Sequence, residues 1–275
     1  MSDELENKTS AWQPLTFKGV ARFARGSYNR VFLIELFVAF SFALAAVWFV
    51  GVGWAPVLEQ AIERLGRGAV IEQGSLFWPG EKAERLAEGP FIEFIVTPGG
   101  DAAIGQTADL QVELTQHELK FRSLFGYLAI PYPADQRILL APEEAAATWG
   151  AWKGPLFLIV FLGIVVGLLF LWPITAAFYT APALLFGFYV SRPTTFPERF
   201  RLCSAALMPA ALLLCAALAL YALRQLSLVG FLVAWMMHLM LGWIYVAVGL
   251  LQLPTTSPLT GGNPFSSART RPGGL

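Results

Sequence analysis

The chain has 275 residues, 56% of them hydrophobic and only 14% charged, with a mean hydropathy of +0.58, values that exclude an ordinary soluble domain of this size. Its 19 basic and 19 acidic residues cancel, but they are segregated: 14 acids stand against 8 bases between Trp54 and Gly154, and 10 bases stand against Asp3, Glu4, Glu6 and Glu198 in the other polar stretches. Lys and Arg are retained at the cytoplasmic ends of spans, so the pattern predicts a multi-pass membrane protein with an acidic segment outside, and that acidity argues against a nucleic-acid partner.

Residues 1–30 form a cytoplasmic segment. Its first 14 residues are polar and loose; after them Leu15, Phe17, Val20 and Phe23 alternate with Lys18, Arg22, Arg25 and Arg30 at near-helical spacing. This predicts a short basic amphipathic helix lying on an anionic inner leaflet. Residues 31–53 hold one charge, Glu35, and as a helix would measure about 34 Å, enough for a hydrocarbon core of roughly 30 Å. A signal peptide fits this run poorly, because 30 largely polar residues precede it and its apolar part exceeds the usual length of roughly 7 to 15 residues, so a retained span is expected.

Residues 54–154 are long enough for a small folded α/β domain outside the membrane. Val57 to Leu65 reads as a short helix. Ala69 to Trp78 reads as a strand broken at Gly74, Phe91 to Val96 as a second strand ended by Pro98, Gly99 and Gly100. Leu110, Val112 and Leu114 alternate with Gln111 and Glu113, the pattern of a half-buried strand, and Leu119–Leu124 and Gly126–Ile130 follow as further strands.

Residues 155–252 form a helical membrane domain. The block Leu156 to Val190 is too long for one crossing and short for two, and Pro173 and Pro182 interrupt it. Because Arg192, Arg199 and Arg201 place the following loop in the cytoplasm, one crossing is expected, from about Leu156 to Pro173, with a bent or re-entrant continuation. Leu202–Leu223 and Ser227–Leu251 form a helical hairpin turning at Arg224 and Gln225. Residues 253–275, rich in Pro, Gly, Ser and Thr, read as a disordered cytoplasmic tail. The expected fold is an integral membrane α-helical bundle of four spans, five if residues 174–190 add a crossing, with a small extracytoplasmic α/β domain between spans 1 and 2. Both termini are then cytoplasmic. Trp48, Trp54, Trp152, Trp172, Trp235 and Trp243 fall near span ends, as in an interfacial belt.

The stretches Ile71–Leu76, Phe91–Gly100 and Leu110–Leu119, in that order after a first span, together with Phe196–Arg201 leading into Ala205–Pro209, resemble a bacterial membrane protein family of unknown function that includes maltodextrin-utilisation-type (MalA-like) proteins. The sequence departs from that pattern at Gln73, where the family often has Asp, and at Thr97-Pro98-Gly99 in place of Asp-Thr-Gly. The resemblance implies a span, an outer domain and further spans; it implies no catalytic residue.

Chemistry-bearing motifs are sparse. His117-Glu118 would open a zinc-protease helix only with a second histidine four residues on, where Phe121 stands. Cys203 and Cys215 lie about 18 Å apart along one helix, beyond disulfide reach, and Ser41, Ser204 and Ser227 lack a nucleophile-elbow context. Two ionisable groups at membrane depth are the candidate site residues. Glu35 is expected to pair with Arg30, Arg199 or Arg201. His238, among Met236, Met237 and Met240, is expected to bond across the bundle as a neutral ring. A polar pathway joining them would need water or the hydroxyls of Thr175, Tyr179 or Thr180. The expectation is a multi-pass protein of the bacterial inner (plasma) membrane that acts as an accessory, scaffold or sensing component through its outer domain, without catalysis or cofactor. Its partners are the lipid bilayer and another membrane or extracytoplasmic protein. A small-solute or proton-coupled transporter component is the alternative, and an intramembrane enzyme the remaining one.

Overall fold

The computed structural model describes residues 14–99 and 104–255; the expected loose start and the expected disordered tail beyond Thr255 lie outside the described residues. Among the described residues, four helical stretches are long and apolar enough to cross a membrane: Tyr28–Glu63, Pro142–Tyr189, Phe196–Ala222 and Leu228–Leu251. A short helix α1 (Phe17–Phe23) comes first. The first long stretch is α2 (Tyr28–Phe49), a π-helical turn (Val50–Trp54) and α3 (Ala55–Glu63). The others are α4 (Pro142–Tyr189), α5 (Phe196–Ala222) and α6 (Leu228–Leu251). In α5, 56% of the most apolar window is buried, against 11% in α4 and in α6, which makes α5 the inner helix. Its small residues Cys203, Ser204, Ala205, Ala206 and Ala210 let neighbours approach closely.

The chain divides into two compact units. One comprises the described residues up to Glu35, Phe170–Ala210 and those from His238 on. Here α1 is capped by Thr16, whose hydroxyl accepts from the Gly19 N–H. Its apolar side, Val20, Ala21 and Phe23, is buried in protein rather than laid on lipid: Val20 stands beside Gly249 and Leu202, and the Tyr245 hydroxyl donates to the Leu15 carbonyl at 2.6 Å. Of the expected lipid-facing side chains, Val20 and Phe23 are therefore packing residues, while Leu15 and Phe17 stay exposed. Helix α5 starts in a capping box, the Glu198 carboxylate accepting from both the N–H and the hydroxyl of Thr195.

The other unit comprises Leu36–Leu169 and Ala211–Met237. The π-helical turn has a local cause: Pro56 lacks an N–H and its ring crowds the Val52 carbonyl, so the helix widens, with the Ala55 N–H reaching Val50. Helix α4, expected to break at its prolines, is one continuous helix of 48 residues, about 72 Å long. Each proline removes one hydrogen bond, and the rest of the ladder keeps the helix continuous. The helix also begins earlier than expected, at Pro142, and its Trp149 Nε1 and Lys153 Nζ both reach Glu59 Oε1, at 2.9 and 2.7 Å. At the other end of this unit, α5 closes on Arg224 at φ 61°, with the Gln225 N–H returning to the Leu220 carbonyl, a Schellman turn made without glycine.

Among the described residues, eight strands lie between α3 and α4. The strand expected over 69–78, broken at Gly74, is a hairpin, β1 (Val70–Glu72) and β2 (Ser75–Phe77), because Gln73 and Gly74 both take positive φ and fold the chain back. With β8 (Ile138–Leu139) they form a sheet of order β2-β1-β8. A second sheet has the order β3-β4-β5-β6-β7, from β3 (Glu84–Glu88), β4 (Ile92–Thr97), β5 (Leu110–Thr115), β6 (Glu118–Ser123) and β7 (Gly126–Pro131). All pairs in it are antiparallel except β4 and β5, which are parallel. Ile92, Phe94 and Val96 of β4 and Leu110, Val112 and Leu114 of β5 share one face and meet Val57 and Ala61 of α3, Ile71, Leu76 and Leu86 in the domain core. At the start of β4, Phe91 sits against Phe49, Tyr221 and Leu218, so one end of this sheet is seated on the ends of α2 and α5.

Candidate functional site

The opposite face of β4 and β5 is polar around a central Ile95, and it is covered. Glu93, Thr97, Gln111 and Glu113 are all buried, although strict alternation assigns them to solvent. The cause is the parallel β4–β5 pair: the chain must cross back from Thr97 to Leu110, and Ile104, Thr107 and Ala108 of the return lie against this face. The Glu93 carboxylate accepts from the Thr107 N–H and hydroxyl, both at 2.8 Å, and from Gln111 Nε2 at 3.2 Å, with the Arg85 guanidinium 3.3 Å away as a charge contact. Glu113 accepts from the Thr97 hydroxyl at 2.7 Å and pairs with Arg122 at 3.0 Å. Both carboxylates are thus held by protein groups, which fits a structural role in closing the sheet.

Beyond them the face opens into a groove of about 480 Å³ lined by Gln106, Glu118, Lys120, Arg122, Ser123 and Tyr127, with Gly126 at its end. Glu118, Lys120 and Arg122 alternate along β6, so the period of two sends all three to one side. Lys120 pairs with Glu118 at 3.2 Å, and Arg122 rests on the buried Glu113, so each cation keeps further hydrogens for a bound group. Such a lining can hold a polar or charged ligand through two cations, an amide and a phenol. The alternating Glu-x-Lys-x-Arg was the signal in the sequence that marks it.

The two residues singled out at membrane depth both belong to the first unit. Glu35 on α2 is 6% exposed. Its polar neighbour is the Ser204 hydroxyl on α5, and its Oε1 has no hydrogen-bond partner among the described residues. Two of the three arginines expected to neutralise it are committed elsewhere. Arg199 donates to the Thr194 carbonyl, and Arg201 donates twice to the Ala24 carbonyl, at 2.7 and 3.0 Å, while lying over the Tyr28 ring. His238 is half-buried on α6. Of the hydroxyls that would link the two, Thr175 and Thr180 donate to carbonyls of their own helix, and Tyr179 stacks on Trp243 with ring centroids 4.1 Å apart.

One pairing was hidden by sequence distance. The Ser75 hydroxyl lies 3.2 Å from His117 Nδ1, 42 residues away, at an exposed position. A serine activated for attack needs its base oriented by a third group, and no acceptor among the described residues holds the far nitrogen of this ring. Among the described residues no three His, Cys, Asp or Glu side chains converge as metal ligands. Comparison with protein-family models, with curated proteins and with solved structures finds no match to the chain.

Proposed function

We propose that the chain is a multi-pass protein of the bacterial inner (plasma) membrane, with both termini cytoplasmic, that serves without catalysis as an accessory, scaffold or sensing component through its outer α/β domain. The observation that carries this reading is the fastening of that domain to the helix ends. The Tyr221 hydroxyl donates to the Asp109 carboxylate at 2.5 Å, and Phe91 is clasped by Phe49 and Tyr221. A ligand or protein seated in the Lys120–Arg122 groove would thus act on a sheet whose other strands are locked to the spans. The charge segregation of the sequence supports the orientation, and the resemblance to maltodextrin-utilisation-type membrane proteins supports the architecture.

The test is crosslinking in intact membranes and purification in mild detergent, comparing the native chain with Lys120→Ala, which leaves the Arg122–Glu113 pair in place. A partner recovered with the native chain and lost from the variant, at equal expression and melting temperature, is the expected result. No partner, together with solute flux through the reconstituted protein, overturns the reading. A tag placed after Thr255 should be reached only from the cytoplasmic side.

Transport is the second reading, favoured by one observation, the buried and unpartnered Glu35 Oε1. Glu35→Gln and His238→Leu, made separately, leave the cellular role intact under the first reading and abolish flux under the second.

A further inference from the structure

We infer that the tip of the β6–β7 hairpin is embedded in the outer leaflet of the bilayer, as a lipid anchor for the α/β domain beside its helices; this rests on the reading that those helices span. The hairpin leaves five large apolar side chains uncovered: Leu124, Phe125, Tyr127, Leu128 and Ile130, with Phe125 76% and Tyr127 77% exposed. Hairpin turns in water favour Gly, Asn, Asp and Ser, whereas this turn is Ser-Leu-Phe-Gly.

Sheet register places the tip. Ile92, Leu110, Ser123 and Gly126 form one row across β4, β5, β6 and β7, and Leu124 and Phe125 lie immediately beyond it. Phe91 and Asp109 stand just beyond the same row, and these are the residues held by Phe49 and Tyr221 at the helix ends. Helix α3 fixes the direction in which the sheet runs from there. Gly89, at the near end, lies against Val57 in the first turns of α3, and Arg64, past its last residue, donates to the Leu86 carbonyl. The sheet therefore rises from the helix ends alongside α3. The hairpin tip stays at the level of Trp54 and Tyr221, displaced sideways by about three strand spacings, or roughly 14 Å.

The two ends of the sheet differ in chemistry as this position requires. The far end carries the turn Thr115-Gln116-His117-Glu118. The near end carries leucine, phenylalanine and tyrosine, with Arg122 and Lys120 behind them on β6 at the height of lipid headgroups. A second copy paired along the β7 edge fits less well, since ladder bonds would engage β7 and leave Leu124 and Phe125, in the turn, uncovered.

The experiment places an environment-sensitive fluorophore on single cysteines in a Cys203→Ala/Cys215→Ala background, reconstituted into phosphatidylcholine–phosphatidylglycerol vesicles carrying nitroxide-labelled lipids. Three sites are compared: Phe125→Cys at the tip, Leu44→Cys on the exposed face of α2, and Asp135→Cys near the far end of the sheet. The expected result is a blue-shifted Phe125→Cys signal that loses roughly half its emission to a quencher near the headgroup and less to one at the chain end, matching burial of about 5–10 Å. Asp135→Cys should emit as in water. If Leu44→Cys is quenched while Phe125→Cys emits as in water, the anchor is overturned and the spanning reading stands. If Leu44→Cys is not quenched, the spanning reading fails and the anchor with it. A tip shielded from lipid but crosslinking to a second copy overturns the anchor in favour of an interface between copies.

Discussion

Tyr132 shows how a single side chain ties the domain together. Its hydroxyl donates to the Thr115 carbonyl at 3.1 Å, and burial, reinforced by the nearby Glu118 charge, pushes its pKa well above the ordinary tyrosine value near 10. A raised pKa in the fold means that the protonated hydroxyl is what the fold stabilises. The contribution is complete below about pH 10, where unfolded tyrosine is also protonated, and is lost as pH rises above it, because the unfolded chain releases the proton first. Thermal melts between pH 9 and 11 should therefore show a steeper decline for the native protein than for Tyr132→Phe, which is less stable at pH 8 but lacks this part of the pH dependence. Glu93 and Glu113 teach a related lesson. A carboxylate on the polar side of an alternating strand reads as solvated, and nothing local in the sequence announces the chain segment that returns across it.

At the scale of elements, helix α3 is held to the sheet by a contact with almost no slack. A Cβ added at Gly89 would lie 2.5 Å from Val57 Cγ2. Gly89→Ala should thus lower stability by about 1–3 kcal/mol through overpacking, and Val57→Ala in the same chain should recover part of the loss, a coupling that denaturant melts of both single variants and the double variant would measure. The same elements show what was legible in advance. The strands at Phe91–Val96, Leu110–Leu114 and Gly126–Ile130 and the helix at Val57–Leu65 were marked by apolar period and by Gly or Pro at their ends. β3 was missed because Glu84-Arg85-Leu86-Ala87-Glu88 is mostly polar and earns its place by pairing with β4. The Gln73-Gly74 fold-back was misread because glutamine rarely takes positive φ. Helix α4 was misread because a proline costs a helix one hydrogen bond, which a ladder 48 residues long absorbs without breaking. Of the candidate site, the groove cations were missed although Glu118, Lys120 and Arg122 alternate on one strand, and the Glu35–Ser204 and Ser75–His117 neighbours depend on tertiary packing alone.

At the scale of the whole molecule, charge segregation and hydropathy were enough to give four apolar helices and a mixed domain between the first two, and the structure holds that layout. The domain does not end where its strands end, however. Its core includes Val57 and Ala61 of α3, and α4 joins α3 through Glu59. A fragment of residues 68–140 would bare the face formed by Ile71, Leu76, Leu86, Ile92, Val96 and Val112. It should aggregate or bind a hydrophobic dye such as ANS with sharply raised fluorescence, whereas the full chain in detergent should not.

Helices α2 and α3 run on through the π-helical turn without a break, and α4 carries its helix from Pro142 to Tyr189 with no intervening loop. The sheet domain therefore stands on two stiff struts instead of hanging from tethers. A head mounted in this way cannot swivel by itself: a sideways load on it becomes a twist or tilt of the struts.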